Sequence, residues 1–523
     1  MKEESVNDSS NHPVRAPKDK IKTLSELGVL ANDAREKGLR VVLCHGVFDL
    51  VHMGHVRHLA AARKEGDILV VTTTADHLVN KGPGRPIFTA SLRAEMLAAL
   101  EYVDWVGISQ EPTSERVLEI IKPNFYVKGA DYENAEDDVT GNIVRERQIT
   151  EKHGGNLVFT RDISFSSSEL INKYLNIYDR PLRDFLDIHK ERNTVQEIYN
   201  SIEKARDFRV LMVGDAIIDE YQYVVAMAKA PKENMIATRS TNYEIFAGGV
   251  FAAANHAASF CKEVEIITVL GKQDPYEDLI RKNLHPNVKL RPIYCPGKPT
   301  TRKCRFIDEN YMGKLFEVYH FDDRPPTHDI EEEINDALRN HIPQFDVVIA
   351  NDFGHGMLTK SSIDILTNES KFLAINTQTN SANLGYNLVT KYPKADLVCV
   401  DAPEAQLATM DRFSDIESVV EDKLSKMIDC DKFVVTHGNQ GCVTFEGSSG
   451  ASRIPAFTKS VVDTVGAGDA FLAVSAPIAA TGTPMELVGF IGNAAGAMKV
   501  SIMGHRKSIE KIPLQRFITT LLK

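Results

Sequence analysis

No two cysteines in this chain stand at C-x-x-C spacing, and the seven present (Cys44, Cys261, Cys295, Cys304, Cys399, Cys430, Cys442) are scattered and odd in number. That pattern argues against a zinc site and for the reduced thiols of a cytoplasmic protein. Long apolar runs are also missing. None approaches the length that spans a bilayer, so no membrane association is expected. The opening MKEESVNDSSNHPVRAPKDK is polar throughout and unlike a secretory signal. A cationic excess is absent: 61 Lys and Arg stand against 72 Asp and Glu, a formal charge of -11. This excludes a general nucleic-acid or anionic-membrane binder, so anionic substrates must be held by local amides and a few placed cations. What remains is 523 residues, 43% hydrophobic and 25% charged. This is the balance of a soluble enzyme, too long for a single core, and two or more domains are expected.

Residues 1–20 read as a disordered tail. Leu39 to Cys44 (LRVVLC) is a buried-strand run, and Asp67 to Thr73 (DILVVTT) is another. The helical pattern VRHLAAARK between them makes a β-α-β unit, which predicts a parallel sheet. The connecting stretch His45-Gly46-Val47-Phe48-Asp49-Leu50-Val51-His52-Met53-Gly54-His55 puts two histidines three apart at the helix start, where they share a face. By itself such a pair is equally a metal site or two surface histidines. Lys81-Gly82-Pro83-Gly84-Arg85-Pro86 is a basic turn, and Phe125 to Tyr132 (FYVKGADY) is a strand with Lys128 near its end. Arg161 precedes Ser166-Ser167-Ser168, serines able to cap a helix and meet a phosphate. Alone, Lys81 or Lys128 is a solvated lysine. The ordered series resembles the GxFDxxHxGH nucleotidyltransferases that include the cytidylyltransferases. The resemblance implies His52, His55 and Lys81 in catalysis, and Gly46, Phe48, Lys128, Arg161 and Ser166 to Ser168 around a nucleotide.

Residues 179–207 carry a proline and many charges before an amphipathic pattern, which suits a linker helix between a domain at 21–178 and one at 208–523. In the second half, Val462 to Phe471 (VDTVGAGDAF) reads as a tight turn opening a helix. Free amides and the helix dipole there favour an anion, with Gly466, Ala467 and Gly468 as an anion hole and Asp469 placed to take a proton from a hydroxyl. Arg209 to Val213 is a strand ending in Gly214-Asp215-Ala216-Ile217-Ile218-Asp219. Two acids at a strand end serve as readily to cap a turn. Thr300 to Phe306 alternates cations, so Lys303 and Arg305 share a face. That face suits either a sugar phosphate or solvent.

These stretches resemble the ribokinase-like (PfkB) sugar kinases, and the heptose-kinase branch most closely. The resemblance implies sugar binding by Asp215, Asp219, Gly248, Gly249, Asn255 and Asp352, with Lys303 and Arg305 on a pre-existing phosphate. It implies nucleotide binding by Thr436, Gly438, Gly441 and Asn493, and magnesium at Asp401 and Glu404. The polar run Asn376 to Asn387 has no counterpart in it. Taken together, the chain resembles the bifunctional heptose 7-phosphate kinase/heptose 1-phosphate nucleotidyltransferases with the halves in reverse order. The implied fold is α/β: a Rossmann-like nucleotidyltransferase domain, then a ribokinase-like domain with a small β lid over the sugar. The implied substrates are a sugar phosphate with ATP, CTP being possible for the transferase, and the implied assembly is a homodimer or larger homo-oligomer. Two alternatives stay open: a pair acting on another sugar or polyol phosphate, and one domain serving only as a binding module.

Overall fold

A computed structural model describes residues 16–129, 142–160, 167–175, 177–229, 232 and 235–523. Arg161 and Ser166 lie outside the described residues. The chain divides into two compact units: residues 1–178 together with Lys523, and Asp179–Leu522. Among the described residues no helix is long and apolar enough to cross a membrane. All seven cysteines are buried free thiols.

The first unit is built on a wholly parallel six-stranded sheet. Its strands are β1 (Ile21–Lys22), β2 (Val41–Gly46), β3 (Ile68–Thr74), β4 (Trp105–Ser109), β5 (Phe125–Gly129) and β6 (Asn156–Thr160), in the order β1-β4-β3-β2-β5-β6. The apolar run of β2 is buried from Val41 to Cys44, as expected for a strand covered on both faces. Successive strands run outward from β2 in one direction and from β5 in the other. The carboxyl ends of β2 and β5 therefore flank the point where strand order reverses, which is where open α/β sheets leave a ligand crevice. Residues 17–20, placed in the tail by sequence, form the short helix Pro17–Lys20, and Lys20 Nζ donates to Leu100 O at 3.2 Å and Val103 O at 2.9 Å.

The second unit has two sheets. The larger contains β7 (Arg209–Gly214), β10 (Glu263–Gly271), β11 (Val288–Cys295), β14 (Val347–Asp352), β15 (Leu373–Thr377), β16 (Leu397–Asp401), β17 (Lys432–Thr436), β18 (Cys442–Glu446) and β19 (Gly450–Ile454). Their order is β11-β10-β7-β14-β15-β16-β17-β18-β19, parallel as far as β17. Here the reversal falls between β7 and β14. The smaller sheet, β13-β12-β8-β9, is made of β8 (Ala216–Lys229), β9 (Ile236–Gly249), β12 (Thr301–Asp308) and β13 (Lys314–His320). The segment read as one linker helix forms two, Arg180–Arg192 and Val195–Glu203. Both pack into this unit: His189 stacks on Phe490 with centroids 4.1 Å apart, and Tyr199 Oη donates to Gln515 O at 2.9 Å.

Candidate active sites

In the first unit the two histidines are fixed by the backbone at the start of the helix Met53–Lys64. His52 is its N-cap, and Gly54 N–H donates to His52 Nδ1 at 3.1 Å. The His52 N–H points at His55 Nδ1 at 3.4 Å. The rings lie 4.0 Å apart, with Phe48 edge-on to His55 at 5.2 Å. Phe48 takes a left-handed φ of 51° and packs its ring over Gly46, where an added Cβ would stand 3.3 Å away. Burial lowers the pKa of both histidines, that of His55 to about 3 with help from the charges of His52, His58 and Lys81. The rings are therefore neutral at pH 7. Since Nδ1 of each accepts from the backbone, the ring proton resides on Nε2. Nε2 of His52 is buried and has no partner among the described residues. The pair thus offers neutral N–H donors, which is how it would meet a phosphate before any proton is taken up.

Sequence reasoning missed what holds this loop. Arg93 is fully buried and donates to Phe88 O at 2.9 Å, Thr73 Oγ1 at 2.5 Å, Thr74 O at 2.7 Å and Val47 O, and it pairs with Asp76 at 2.7 Å. Its signal was legible: it stands with Ala90, Ala94 and Leu97 on the buried stripe of the helix Ala90–Ala98, where a charge needs partners. Asp49, also fully buried, accepts from Ile87 N at 2.6 Å and pairs with Arg85 at 3.3 Å. It fastens the 81–87 turn beside the histidine loop. Lys81 in that turn is brought down to about 8 by burial, Asp49 opposing. Ser167 and Ser168 open the helix Ser167–Tyr174, and Ser167 Oγ donates to Leu50 O at 3.2 Å. Lys128 is engaged with buried Glu146 at 2.9 Å.

The second unit assembles its site from strand ends far apart in sequence. Asp469 lies in the first turn of the helix Ala467–Ala480 and is 5% exposed. Burial raises its carboxyl to about 6, a value suited to a base near neutral pH. Gln378 Nε2 donates to its Oδ1 at 3.2 Å. Gly466 caps the helix with φ 75°, where a Cβ would come within 2.8 Å of His505 Cε1. Gly468 has open space on its Cβ side. The Ala467 amide is turned to Thr464 O at 3.2 Å, so of the three predicted anion-hole donors this one is engaged. Directly behind the turn, fully buried Lys499 donates to Val465 O at 2.7 Å.

The root of the smaller sheet brings Asp219, Lys303, Arg305 and Gly248 together, as its register requires: Lys303 pairs with Asp219, and Gly248 with Ile217. A Cβ on Gly248 would collide with Asp219 Oδ2, so only glycine fits. Burial opposes the Asp219 charge, but Arg305 and His505 (3.1 Å) hold its pKa well below the usual carboxylate range. Arg305 also pairs with Glu317 at 3.1 Å. Lys303, 6% exposed, lies 5.2 Å over Tyr319 and has no carboxylate within ion-pair distance among the described residues. His355 is pushed down to about 3 by burial and by the charge of Lys303, and both its ring nitrogens lack partners among the described residues.

Asp215 bridges the strand-order reversal by accepting from the amides of Phe353 (3.0 Å), His355 (3.3 Å) and Met357 (3.3 Å), so it supports the loop rather than facing it. Asp352 is bound to Lys391 at 2.5 Å and Tyr392 at 2.9 Å. The Asn376 to Asn387 run acquires a role here. Asn380 and Asn383 each donate to Phe353 O at 3.0 Å, and Asn387 donates to Asp352 O at 3.0 Å. The run braces the end of β14.

Two expected site residues are turned elsewhere. Both ends of the Asn255 amide are used on the backbone of Asn283 and His285, each at 2.8 Å, and Asn493 donates to Pro455 O at 2.7 Å. Asp401 and Glu404 form a reciprocal cap, Glu404 N to Asp401 at 2.8 Å and Asp401 N to Glu404 at 2.9 Å. Burial and the Asp401 charge push Glu404 up to about 8. Thr436 ends β17, and Gly438 and Gly441, with φ 52° and 88°, shape the turn after it.

Residues 43–238 match the cytidylyltransferase-like family, and residues 207–512 match the pfkB family carbohydrate kinases. The matches overlap at 207–238. The strands settle the overlap, because β7 and β8 belong to the sheets of the second unit. Bifunctional protein HldE of Hahella chejuensis is 44% identical over 135 residues, 25% of this chain and 27% of that protein. HldE of Bradyrhizobium diazoefficiens is 26% identical over 301 residues, 56% of this chain and 60% of that protein. The alignments with the first relatives span between 27% and 63% of those proteins. Among solved structures, phosphofructokinase-2 of Escherichia coli aligns over 60% of this chain and all of that one, with 14% identity and a TM-score of 0.49. With a buried acid at the glycine turn and the matching profile running through both sheets of the second unit, this chain belongs to the pfkB family of carbohydrate kinases.

Proposed function

We propose that the chain is a bifunctional enzyme making a nucleotide-activated sugar. One half phosphorylates a sugar phosphate with ATP, heptose 7-phosphate at the anomeric carbon being our choice. The other transfers a nucleotidyl group to a sugar 1-phosphate with release of pyrophosphate. The observation that carries this reading is the presence, in one chain, of two phosphate-ready helix starts of different chemistry. One holds a buried carboxyl whose pKa is raised to about 6, the other a pair of imidazoles pinned to the backbone through Nδ1.

In the kinase half, Asp469 accepts the proton of the attacking hydroxyl while the Gly466–Gly468 turn, backed by the Lys499 ammonium, holds the transferred phosphoryl. Asp219 binds sugar hydroxyls. Lys303 and His355 are the groups left for the acceptor's own phosphate, since Arg305 is committed to Asp219 and Glu317. A dianion between two basic groups would favour the charged forms that burial disfavours. Asp401 and Glu404 suit magnesium, being hard oxygen donors with more negative charge than their surroundings stabilise. Among the described residues no cluster of three or more ligand side chains exists, so the ion would share this pair with nucleotide phosphates and water. Its chemistry there is neutralisation of phosphate charge.

In the transferase half, His52 and His55 donate to the nucleotide phosphates as pyrophosphate leaves, with Lys81 adding charge from its turn. We place the enzyme in the cytoplasm as a homodimer formed through the smaller sheet, whose exposed Leu315, Phe316 and Val318 support such a contact. The test is a panel of sugar phosphates incubated with ATP or CTP and read by mass spectrometry. A sugar bisphosphate and a nucleotide sugar are expected. An unphosphorylated sugar turned over better than its phosphate would reject the acceptor assignment.

A further inference from the structure

One side chain in the kinase centre was left out of the sequence reading: His505, in the loop after the helix Met485–Lys499. It is 7% exposed on its side chain, and its Nε2 lies 3.1 Å from Asp219 Oδ2. The other edge of the ring presses on the phosphoryl turn, where a Cβ on Gly466 would stand 2.8 Å from Cε1 and 3.5 Å from Nδ1. Nδ1 is buried and has no hydrogen-bond partner among the described residues. The ring thus spans from the sugar-side carboxylate to the phosphoryl-side turn, with one polar atom unspent at the latter. Such an atom is costly to bury unless a ligand completes it.

We propose that His505 is a further catalytic residue of the kinase reaction, donating from Nδ1 to the phosphoryl group in transfer while Asp219 holds Nε2–H. The inference rests on the kinase reading above. In the step, the acceptor hydroxyl oxygen bonds to the γ-phosphorus and the bond from that phosphorus to the bridging β-γ oxygen breaks. ADP leaves with that electron pair, and Asp469 receives the hydroxyl proton. His505 compensates charge on the equatorial oxygens, where stabilisation counts most in phosphoryl transfer. The groups around it are Asp219 from β8, Arg305 from β12, His256 from the helix Val250–Ala258, and Asp469 and Lys499 from two further helices.

The two polar atoms can be tested separately. His505→Gln puts an amide near the Nε2 position and keeps the Asp219 bond without a donor at Nδ1, whereas His505→Asn does the reverse. In the full-length protein, with folding checked by thermal melting, His505→Gln should lower kcat on the order of 10²-fold, as loss of a single oxyanion-type donor does. Its KM for the acceptor should change little. His505→Asn should chiefly raise that KM. Should the glutamine variant not fold, added imidazole restoring kcat to His505→Ala makes the same point. A glutamine variant with wild-type kcat would overturn the proposal, since His505 would then only brace Asp219. Wild-type protein that neither phosphorylates any sugar nor hydrolyses ATP would instead strike the kinase reading itself, before any variant is compared.

Discussion

The two candidate centres are built by opposite means. In the first unit almost everything lies within one stretch, Gly46 to His55, and the helix start supplies the geometry: each imidazole spends Nδ1 on the backbone. In the second unit the groups come from the junction of β7 and β8, from β8, β12 and β14, a helix turn and the loop at His505, from position 215 to position 505. Asp219 there is balanced by pairing with Arg305 and His505, and Asp215 by three backbone amides. A centre of the first kind resists distant change and fails when one motif residue is lost. A centre of the second kind has many supports, so its losses should be graded.

The largest effect is expected at the second centre's buried base. Asp469→Asn keeps the shape and removes the base, and phosphoryl transfer should fall by ~10²–10⁴ while ATP affinity is retained. Steady-state kinetics with direct nucleotide binding checks this. Near-normal turnover would remove Asp469 from the mechanism.

His55→Ala comes next. Losing a donor to developing phosphate charge costs roughly 3 kcal/mol, so pyrophosphate release should drop by about two orders of magnitude. His52→Ala should behave alike. A variant that released pyrophosphate at the wild-type rate would show the pair to be a helix cap and nothing more.

Graded losses should follow from the supports. Lys303→Met should raise KM for the phosphosugar by about tenfold, the worth of one charge-assisted bond, and leave KM for ATP alone. Equal changes in both would contradict the phosphate assignment. The smallest effect is expected at Gln378, which donates to Asp469. Because Asp469 acts ionised and its pKa is raised to about 6, kcat/KM of the kinase should rise with pH through about 6. Gln378→Leu removes a bond that favours the charged form, so that limb should move up by about half to one unit. A limb that stayed in place would mean that the amide is not felt by the base.

The same contrast explains what could be read from the sequence. The parallel sheets, the histidine loop and the glycine turn were legible because each is a local pattern: a buried strand run, then small residues, then a helix. Arg93 was legible in principle, as a charge in an apolar stripe. The asparagine brace was not. Its partners stand 27 to 35 residues away, and polar runs carry no periodicity to announce a partner. Asn255 and Asn493 show the converse: a side chain picked out by a motif is here hydrogen-bonded to nearby backbone, which the motif does not announce. His505 stands in the basic run His505-Arg506-Lys507, which reads as a solvated surface until the fold brings it to Asp219.

The central claim is that two independent phosphate centres share one chain, and the most direct test is a crossed measurement on full-length protein. Nucleotidyl transfer is measured in Asp469→Asn, and sugar phosphorylation in His55→Ala, with folding verified for each. Each variant should keep the activity of the other centre near the wild-type rate. Loss of both activities in either well-folded variant would contradict the account.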